Sequence, residues 1–221
     1  MLNTTKRLLA KEQIDRSKIV AICASTQWSG TVPVDKDGNN LMNAVIWMDM
    51  RGKKYVEKLA GGLIKIEGYD PKKLLTWIRM TGGAPGLDGK DPVGHIHYIK
   101  NAHPEIYRKT FKFLEPKDYI NLCLTGKFAA SYDSIALHWV TDNRDLSKID
   151  YHKKLLKLTQ LEREKLPDLK RSIDVLGPIK KEVADELGLN PDVKVVMGTP
   201  DLQAAALGSG AVDDYQGHIY I

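Results

Sequence analysis

Cysteine and long apolar runs are both scarce in this chain of 221 residues. Its two cysteines, Cys23 and Cys123, each lie inside an apolar run, where a cysteine is more often a small buried hydrophobic residue than half of a disulfide. No residues have metal-ligand spacing, so the sequence predicts no metal site. No run approaches the roughly 20 apolar residues of a membrane span, and the N-terminus lacks the apolar core of a signal peptide. These absences favour a soluble cytoplasmic protein with no membrane partner.

A concentrated basic block is also lacking, although 33 Lys and Arg against 28 Asp and Glu give a net charge of +5. The lysines are scattered as pairs such as Lys53-Lys54 and Lys153-Lys154, usually with acidic residues nearby. Such pairs are typical of solvated helix faces, and an anion-binding surface is the alternative. Without a basic-aromatic stripe, the sequence predicts no nucleic-acid partner.

Helical and strand patterns alternate at both ends of the chain, which predicts an α/β fold with a mixed sheet and flanking helices. Residues 71–170 instead contain short helical patterns punctuated by Gly and Pro, which predicts a mainly helical insertion. A chain that opens on a helix and closes on an unflanked strand is expected to be incomplete at both ends. The predicted helices are 2–14, 51–63, 93–101, 105–110, 118–124, 151–158, 179–187 and 202–207, and the predicted strands are 18–24, 31–34, 44–47, 193–197 and 217–221.

A polar turn, Ser25-Thr-Gln-Trp-Ser-Gly30, follows the first buried strand. Ligand sites collect at the ends of such strands in α/β folds. Gln27 can both donate and accept hydrogen bonds, and Trp28 offers a flat apolar face that suits the C–H surface of a sugar. The alternative is a hairpin turn with a packed tryptophan.

A second polar group, Trp47-Met-Asp-Met-Arg51, follows the third predicted strand. The Asp49 carboxylate can accept hydrogen bonds from two neighbouring hydroxyls, and Arg51 can hold it by a charge-assisted pair. The alternative is that Asp49 caps the helix that begins near Arg51.

A third group, Gly198-Thr-Pro-Asp201, stands where a strand hands over to an alanine-rich helix. Helix N–H groups and the helix dipole would keep the Asp201 carboxylate ionised. Such a carboxylate in a cleft can orient and deprotonate an attacking hydroxyl, as a kinase requires. The alternative is that Asp201 is only a helix cap.

Together these groups resemble the FGGY family of carbohydrate kinases along nearly the whole chain. The pairing of Trp-x-Asp-x-Arg with Gly-x-x-Asp about 150 residues later is the most specific part of the resemblance. The landmarks are Lys18-Ile-Val-Ala-Ile, Ser25-Thr-Gln27, Asp37-Gly38, Ala44-Val-Ile-Trp47-Met-Asp49-Met-Arg51, Phe113-Leu-Glu-Pro-Lys-Asp118-Tyr119-Ile, Leu124-Thr-Gly126, Asp133-Ser134, Leu166-Pro167, Gly177 and Gly198-Thr-Pro-Asp201-Leu-Gln-Ala-Ala-Ala-Leu-Gly208.

The resemblance implies a ribonuclease H-like, actin-like ATPase fold with sugar and ATP bound between two domains. It implies transfer of the ATP γ-phosphoryl group to a hydroxyl of a sugar or polyol, with Mg²⁺, as in xylulose kinases. Asp201 then corresponds to the catalytic base. Asp49 and Trp47 correspond to sugar-contacting positions, and Gln27 and Trp28 to the loop that faces the sugar.

Other positions depart from the family or match it less closely. Xylulose kinases typically have Gln-Met-His-Gly where this chain has Gln27-Trp28-Ser29-Gly30, and often Asn where it has Leu202, which leaves the sugar open. Asp133 is a weaker candidate at the family's Asp-x-Ser segment and is expected to be structural.

The resemblance also indicates what to expect of the domains. Residues 1–221 would be the sugar-binding N-terminal domain without its first strands, and the C-terminal ATP-binding domain would be absent. Such a chain alone is expected to lack kinase activity, because most of the ATP and Mg²⁺ site lies outside it. Exposed sheet edges favour a homodimer or poor solubility. A non-catalytic sugar-binding or regulatory module of the same fold is the alternative function.

Overall fold

The fold is given by a computed structural model, which describes residues 2–11, 13–213 and 216–219. The helices are α1 (Leu2–Leu9), α2 (Lys53–Ala60), α3 (Pro71–Thr81), α4 (Pro92–Ala102), α5 (Pro104–Lys109), α6 (Pro116–Thr125), α7 (Tyr132–Ile135), α8 (Lys153–Thr159), α9 (Lys181–Leu187) and α10 (Asp201–Gly208). The strands are β1 (Ala21–Cys23), β2 (Val32–Val34), β3 (Lys112–Leu114), β4 (Ala129–Ser131), β5 (Thr141–Asp142), β6 (Asp150–Tyr151), β7 (Asp168–Lys170), β8 (Val175–Pro178) and β9 (Lys194–Val196).

A mixed three-stranded sheet of order β1-β9-β8 organises the two ends of the chain. β1 and β9 are parallel, with Cys23 opposite Val196, whereas β8 runs antiparallel to β9. One face of this sheet packs against α1 and α9 through a buried apolar cluster that includes Leu9, Leu187 and Val195. Because β1 and β9 are parallel, the loops that leave them emerge at the same edge of the sheet.

The remaining strands form two-stranded ladders among the helices: β2 with β3, β4 with β7 and β5 with β6. The largest apolar cluster lies here and includes Val56, Ile96, Phe113 and Ile135. The sequence prediction of an α/β fold with a mixed sheet and flanking helices is confirmed.

Proline starts four of the helices, α3, α4, α5 and α6. Proline suits the first helical position because its missing N–H would have no partner there. The prolines that punctuate residues 71–170 therefore begin helices, and α6 starts two residues before the predicted 118–124. Residues 71–170 hold α3 to α8 and also strands β3 to β7; their treatment as an insertion stays a prediction.

Several predicted elements are shorter than expected. The strand expected at 44–47 is a single bridge between Val45 and Thr31. The helix expected at 51–63 is α2, which ends before Gly61, and that expected at 2–14 ends at Leu9. Of the strand expected at 217–221, residues 217–219 have no strand assignment, and residues 220–221 lie outside the described residues.

No helix within the described ranges has both the length and the apolar composition to cross a membrane.

Candidate active site

Asp201 is the first residue of α10 and follows the turn that leaves β9. This turn needs a glycine at Gly198, whose φ is +71° and where a Cβ would collide with the carbonyl oxygen of Ala24. Gly198 therefore brings the end of β9 directly against the loop that leaves β1. The helix cap is Pro200, so Asp201 is not the capping residue that the alternative interpretation required.

Two hydrogen bonds join Asp201 to the loop after β1. Its backbone N–H donates to the Thr26 carbonyl at 2.8 Å. Its Oδ1 accepts from the backbone N–H of Trp28 at 3.2 Å. The same Oδ1 accepts from the Leu202 N–H at 2.9 Å. Oδ2 forms no hydrogen bond with any residue that the structure describes, and it is therefore free to accept one from a ligand.

Residues 28–31, called segment 28–31 below, are held at several points. Ser29 has a left-handed φ of +61° and its hydroxyl donates to the Lys90 carbonyl at 2.7 Å. Thr31 exchanges two backbone hydrogen bonds with Val45, at 2.8 and 3.0 Å. A left-handed non-glycine residue costs of order 1–3 kcal/mol, and the contacts on both sides offset that cost.

Gln27 and Trp28 lie in this loop beside the Asp201 carboxylate. A Cβ on Gly30 would lie 3.3 Å from the Gln27 Nε2, so the Gln27 amide folds over segment 28–31. The Trp28 Nε1 is buried and has no hydrogen-bond partner among the described residues. The Gln27 amide and the Trp28 ring therefore both lie in the loop that holds Asp201.

Asp49 forms the predicted pair with Arg51. The Arg51 Nε donates to both carboxylate oxygens of Asp49, at 3.0 and 2.9 Å, and the Arg51 backbone N–H donates to Oδ1 at 2.9 Å. The guanidinium also donates to the Tyr98 hydroxyl at 2.6 Å. Hydrogen bonds from the Arg51 side chain hold the pKa of the Asp49 carboxyl below its ordinary value. The neighbouring Trp47 is 48% exposed, which leaves its ring open to a ligand.

A buried histidine links these two groups. The His95 Nδ1 lies 3.2 Å from the Thr31 hydroxyl, and its ring faces the Asp49 backbone. Burial lowers the pKa of His95 to about 4, so the ring is neutral at pH 7. Asp201 contacts Trp28, and His95 contacts Thr31 and faces Asp49, so segment 28–31 and His95 together link the two carboxylates. No hydrogen bond among the described residues joins Asp201 to Asp49 directly.

An open, largely apolar groove of about 620 Å³ flanks the Asp201 turn. Asp133 lies in its lining, where a carboxylate oxygen accepts from the Thr199 hydroxyl. Its other oxygen accepts from the Ser134 N–H at 3.0 Å. Asp201 itself is not among the lining residues, which are Cys23, Asp133, Ser172, Ile173, Val196, Gly198, Thr199, Gln203, Ala206 and Leu207.

Mg²⁺ prefers several oxygen ligands in octahedral geometry. Among the described residues no group of three or more Asp, Glu, His or Cys side chains could hold a metal. The carboxylate of Asp133 is already engaged by Thr199 and Ser134. These residues therefore do not build a magnesium site by themselves.

Three contacts of this site were not foreseen from the sequence: Glu115 with Gly30, Ser29 with Lys90, and His95 with Thr31. Each joins residues that are more than 60 positions apart. Of these contacts, only the one at Glu115 has a sequence signal, the Glu-Pro pair at the start of α6. That pair predicts a helix start but does not indicate that Glu115 binds Gly30.

Comparison with known proteins gives a consistent result. Residues 1–208 match the N-terminal domain of the FGGY family of carbohydrate kinases. The chain is 26% identical over 212 residues to the xylulose kinase of Lactococcus lactis subsp. lactis, covering 91% of this chain and 37% of that protein. It is 27% identical over 221 residues to the glycerol kinase of Thermococcus kodakarensis, covering 96% of this chain and 39% of that protein.

The crystal structure of a gluconate kinase from Lactobacillus acidophilus resembles this fold with a TM-score of 0.79 at 26% identity, over 96% of this chain and 40% of that one. The predicted actin-like fold is thereby confirmed. The chain spans about two-fifths of the length of these relatives.

Proposed function

Because this chain belongs to the FGGY family of carbohydrate kinases, we propose that the full-length protein transfers the γ-phosphoryl group of ATP to a hydroxyl of a sugar or polyol. The chain supplies the sugar site and the catalytic base. The observation that carries this proposal is the Asp201 carboxylate, whose Oδ1 is held by the Trp28 N–H while Oδ2 stays free within the described residues.

In this proposal Asp201 acts as the general base. The Trp28 and Leu202 N–H groups fix Oδ1 and stabilise negative charge on the carboxylate. Oδ2 accepts a hydrogen bond from the sugar hydroxyl and takes its proton as the hydroxyl oxygen attacks the γ-phosphorus, while the bond from that phosphorus to its bridging oxygen breaks and ADP leaves. Fixing one oxygen orients the other, so the hydroxyl is held in a single direction.

The sugar itself would be bound by the four side chains of the sequence prediction. The Gln27 amide and the Asp49 carboxylate offer hydrogen bonds to hydroxyl groups. Trp28 and Trp47 offer apolar ring faces to C–H groups. Arg51 keeps Asp49 ionised and in place and leaves its remaining lone pairs for the ligand.

The nucleotide and Mg²⁺ would be held mainly by parts of the full-length protein outside this chain. Mg²⁺ supplies charge neutralisation on the phosphates when bound. With no metal cluster in the described ranges, we expect this chain alone to show no kinase activity, although it retains the groups that contact sugar.

The test is to measure turnover of the full-length protein with Asp201→Asn and Asp201→Ala. Asn keeps an oxygen for the Trp28 N–H but cannot take a proton, so both variants should lose about 10²- to 10⁴-fold in kcat. A ligand screen by thermal shift over pentoses, hexoses and polyols selects the substrate beforehand. Unchanged turnover of Asp201→Asn would remove Asp201 as the base and with it the proposal.

A non-catalytic sugar-binding or regulatory module is the second candidate. It is favoured by Ser29 and Leu202, since the Ser29 hydroxyl is engaged by the Lys90 carbonyl and Leu202 is an exposed apolar side chain. Neither presents a polar group to a sugar. Sugar binding by the full-length protein without production of ADP in the presence of ATP and Mg²⁺ would support this alternative.

A further inference from the structure

Glu115 is a buried carboxyl group that the proposed mechanism does not use. It stands immediately before α6 and is 1% exposed. Its Oε2 accepts from the Gly30 N–H at 2.7 Å, across 85 positions of sequence. Its Oε1 has no hydrogen-bond partner within the part of the chain that the structure describes. Glu115 is the N-cap residue of α6, but its side chain makes no capping hydrogen bond, so its one described side-chain hydrogen bond is with Gly30 of segment 28–31.

The backbone of Gly30 is pressed against the residue that follows Glu115. A Cβ at Gly30 would lie 2.5 Å from Pro116 Cγ and 2.6 Å from its Cδ. Only glycine fits there, and the start of α6 therefore serves as a wall for segment 28–31. Glu115 binds the peptide N–H of Gly30 while Pro116 limits how far that peptide can move.

The environment of Glu115 decides its charge state. Burial raises the pKa of the Glu115 carboxyl well above its ordinary value, opposed by the Gly30 hydrogen bond and the Lys117 charge and reinforced by Asp118 and Asp91. A neutral carboxyl can accept from Gly30 without the large cost of a buried, unpaired charge. The contact is therefore compatible with complete burial.

Segment 28–31 joins the Glu115 contact at Gly30 to the proposed base, Asp201. Gly30 is two residues from Trp28, whose N–H holds the Asp201 Oδ1. Ser29 between them is held in a left-handed conformation, so the direction of the Trp28 N–H depends on where the Gly30 peptide is fixed. Loss of the Gly30 hydrogen bond would leave a buried N–H unpaired and release this segment.

We propose that Glu115 is a positioning residue of the phosphoryl transfer, which acts through Gly30 and Trp28 to aim the Asp201 carboxylate at the sugar hydroxyl. This inference rests on the proposed function, and it adds a role for a residue that does not touch the substrate.

The experiment measures kcat and KM of the full-length protein for four variants. Glu115→Leu removes the acceptor at similar volume and should lower kcat about tenfold, whereas Glu115→Gln keeps an oxygen for Gly30 and should stay within about twofold of the wild type. Glu162→Leu is the control, because Glu162 accepts a hydrogen bond from the Tyr107 hydroxyl at 2.8 Å, away from this site. It should leave kcat unchanged. Asp201→Asn completes the set.

The deciding measurement is Glu115→Leu in the Asp201→Asn background. If Glu115 acts through the base, the double variant should be no slower than Asp201→Asn alone. A further tenfold loss there would mean a merely structural role and overturn the inference. A normal kcat of Glu115→Leu, together with an impaired Asp201→Asn, would also overturn the inference but would leave the proposed function intact. Should Glu115→Leu not fold, Glu115→Asp replaces it, since the shorter side chain keeps the carboxyl but withdraws it from Gly30.

Discussion

At the residue scale, the chain contains the same ion-pair motif twice. Asp49 and Arg51 form one copy, and Asp142 and Arg144 form the other, with the Arg144 Nε donating to Asp142 at 2.8 Å. Both arginines are more than half exposed. Exposed pairs of this kind contribute about 0–1 kcal/mol to stability. We expect the two copies to differ in function, because the first faces His95, whose ring contacts Thr31 of segment 28–31.

We predict that Arg51→Ala weakens sugar binding by the full-length protein about tenfold, since Asp49 loses the group that orients it. Arg144→Ala is the matched control and should leave affinity unchanged. Isothermal titration with the substrate found by the ligand screen measures both, and thermal midpoints should stay close to wild type for both variants. Equal affinities of the two variants would exclude Asp49 as an oriented sugar ligand.

Residue contacts were predictable from the sequence only where they are local or follow from strand ends. The Asp49–Arg51 pair spans two positions. Asp201 meets the loop near Trp28 because the parallel neighbouring strands β1 and β9 end at the same edge of the sheet. Glu115 and Gly30 meet because α6 packs beside β2 and the loop before it, a tertiary arrangement that has no trace in the local pattern. The roles of Gln27, Trp28, Trp47 and Asp49 in sugar binding stay predictions.

At the element scale, glycines set how closely α2 and α4 approach. A Cβ on Gly94, within α4, would lie 2.5 Å from the carbonyl oxygen of Gly89 and 3.0 Å from the Val56 side chain. A Cβ on Gly52, just before α2, would meet Gly89 and Gly94 backbone atoms within 2.7 Å. His95 follows Gly94 directly, so this close approach also sets the depth at which the ring sits beneath Asp49.

We predict that Gly94→Ala lowers the free energy of unfolding by about 1–3 kcal/mol, because the added methyl group forces two packed backbones apart. Gly208→Ala is the matched control: Gly208 ends α10, and a Cβ there would meet no atom of the described structure within 4 Å. Alanine at that position should be neutral or add up to about 1 kcal/mol. Urea denaturation measures both, and a similar loss in the two variants would contradict the packing argument.

Length alone did not decide which helices were predicted: α4 was expected, but α3, which also has 11 residues, was not. α4 and α6 were expected within two residues of their observed ends, since apolar spacing and helix-ending residues agree over three turns. Strands β3 and β4 were not predicted, whereas the equally short β1, β2 and β9 were, each inside a longer predicted strand. Residue preference alone marks a strand weakly, because pairing depends on the partner strand. The segment 44–47 failed for the same reason, since only Val45 pairs.

At the scale of the whole molecule, buried titratable groups of opposite sign share one region. Burial lowers the pKa of His138 to about 3, and His95 adds to this shift. Burial raises the pKa of Asp118 to about 6, against the opposing charge of Lys117, and Glu115 shifts in the same direction. The two histidines and the two carboxyls are almost completely inaccessible to solvent. Both histidines are therefore neutral at pH 7, whereas Asp118, with a pKa of about 6, is mostly ionised there beside Lys117.

These two classes change stability with pH in opposite directions. A histidine with a lowered folded pKa takes up its proton first in the unfolded state, so stability falls as pH drops below 6.5. A carboxyl with a raised folded pKa loses its proton first in the unfolded state. Its contribution to the stability of the fold is complete below the unfolded pKa and is lost as pH rises to the folded pKa. For Asp118 these two pKa values are 3.8 and about 6. Between pH 4.5 and 6 the two effects offset one another.

We predict that His138→Gln uncovers the carboxyl effect. Each buried histidine costs up to about 1.4 kcal/mol per pH unit on acidification, so the variant should gain about 2 kcal/mol relative to wild type between pH 6.5 and pH 5. Guanidinium unfolding at three pH values measures this difference. His95 stays in place, because it faces Asp49, Arg51 and Asp88 as well as His138. The partly exposed His152 is the control: His152→Asn keeps an acceptor for the start of α8 and should parallel the wild type. Parallel curves for His138→Gln as well would mean that His138 is hydrated in solution, and that this region does not hold its histidines neutral by burial.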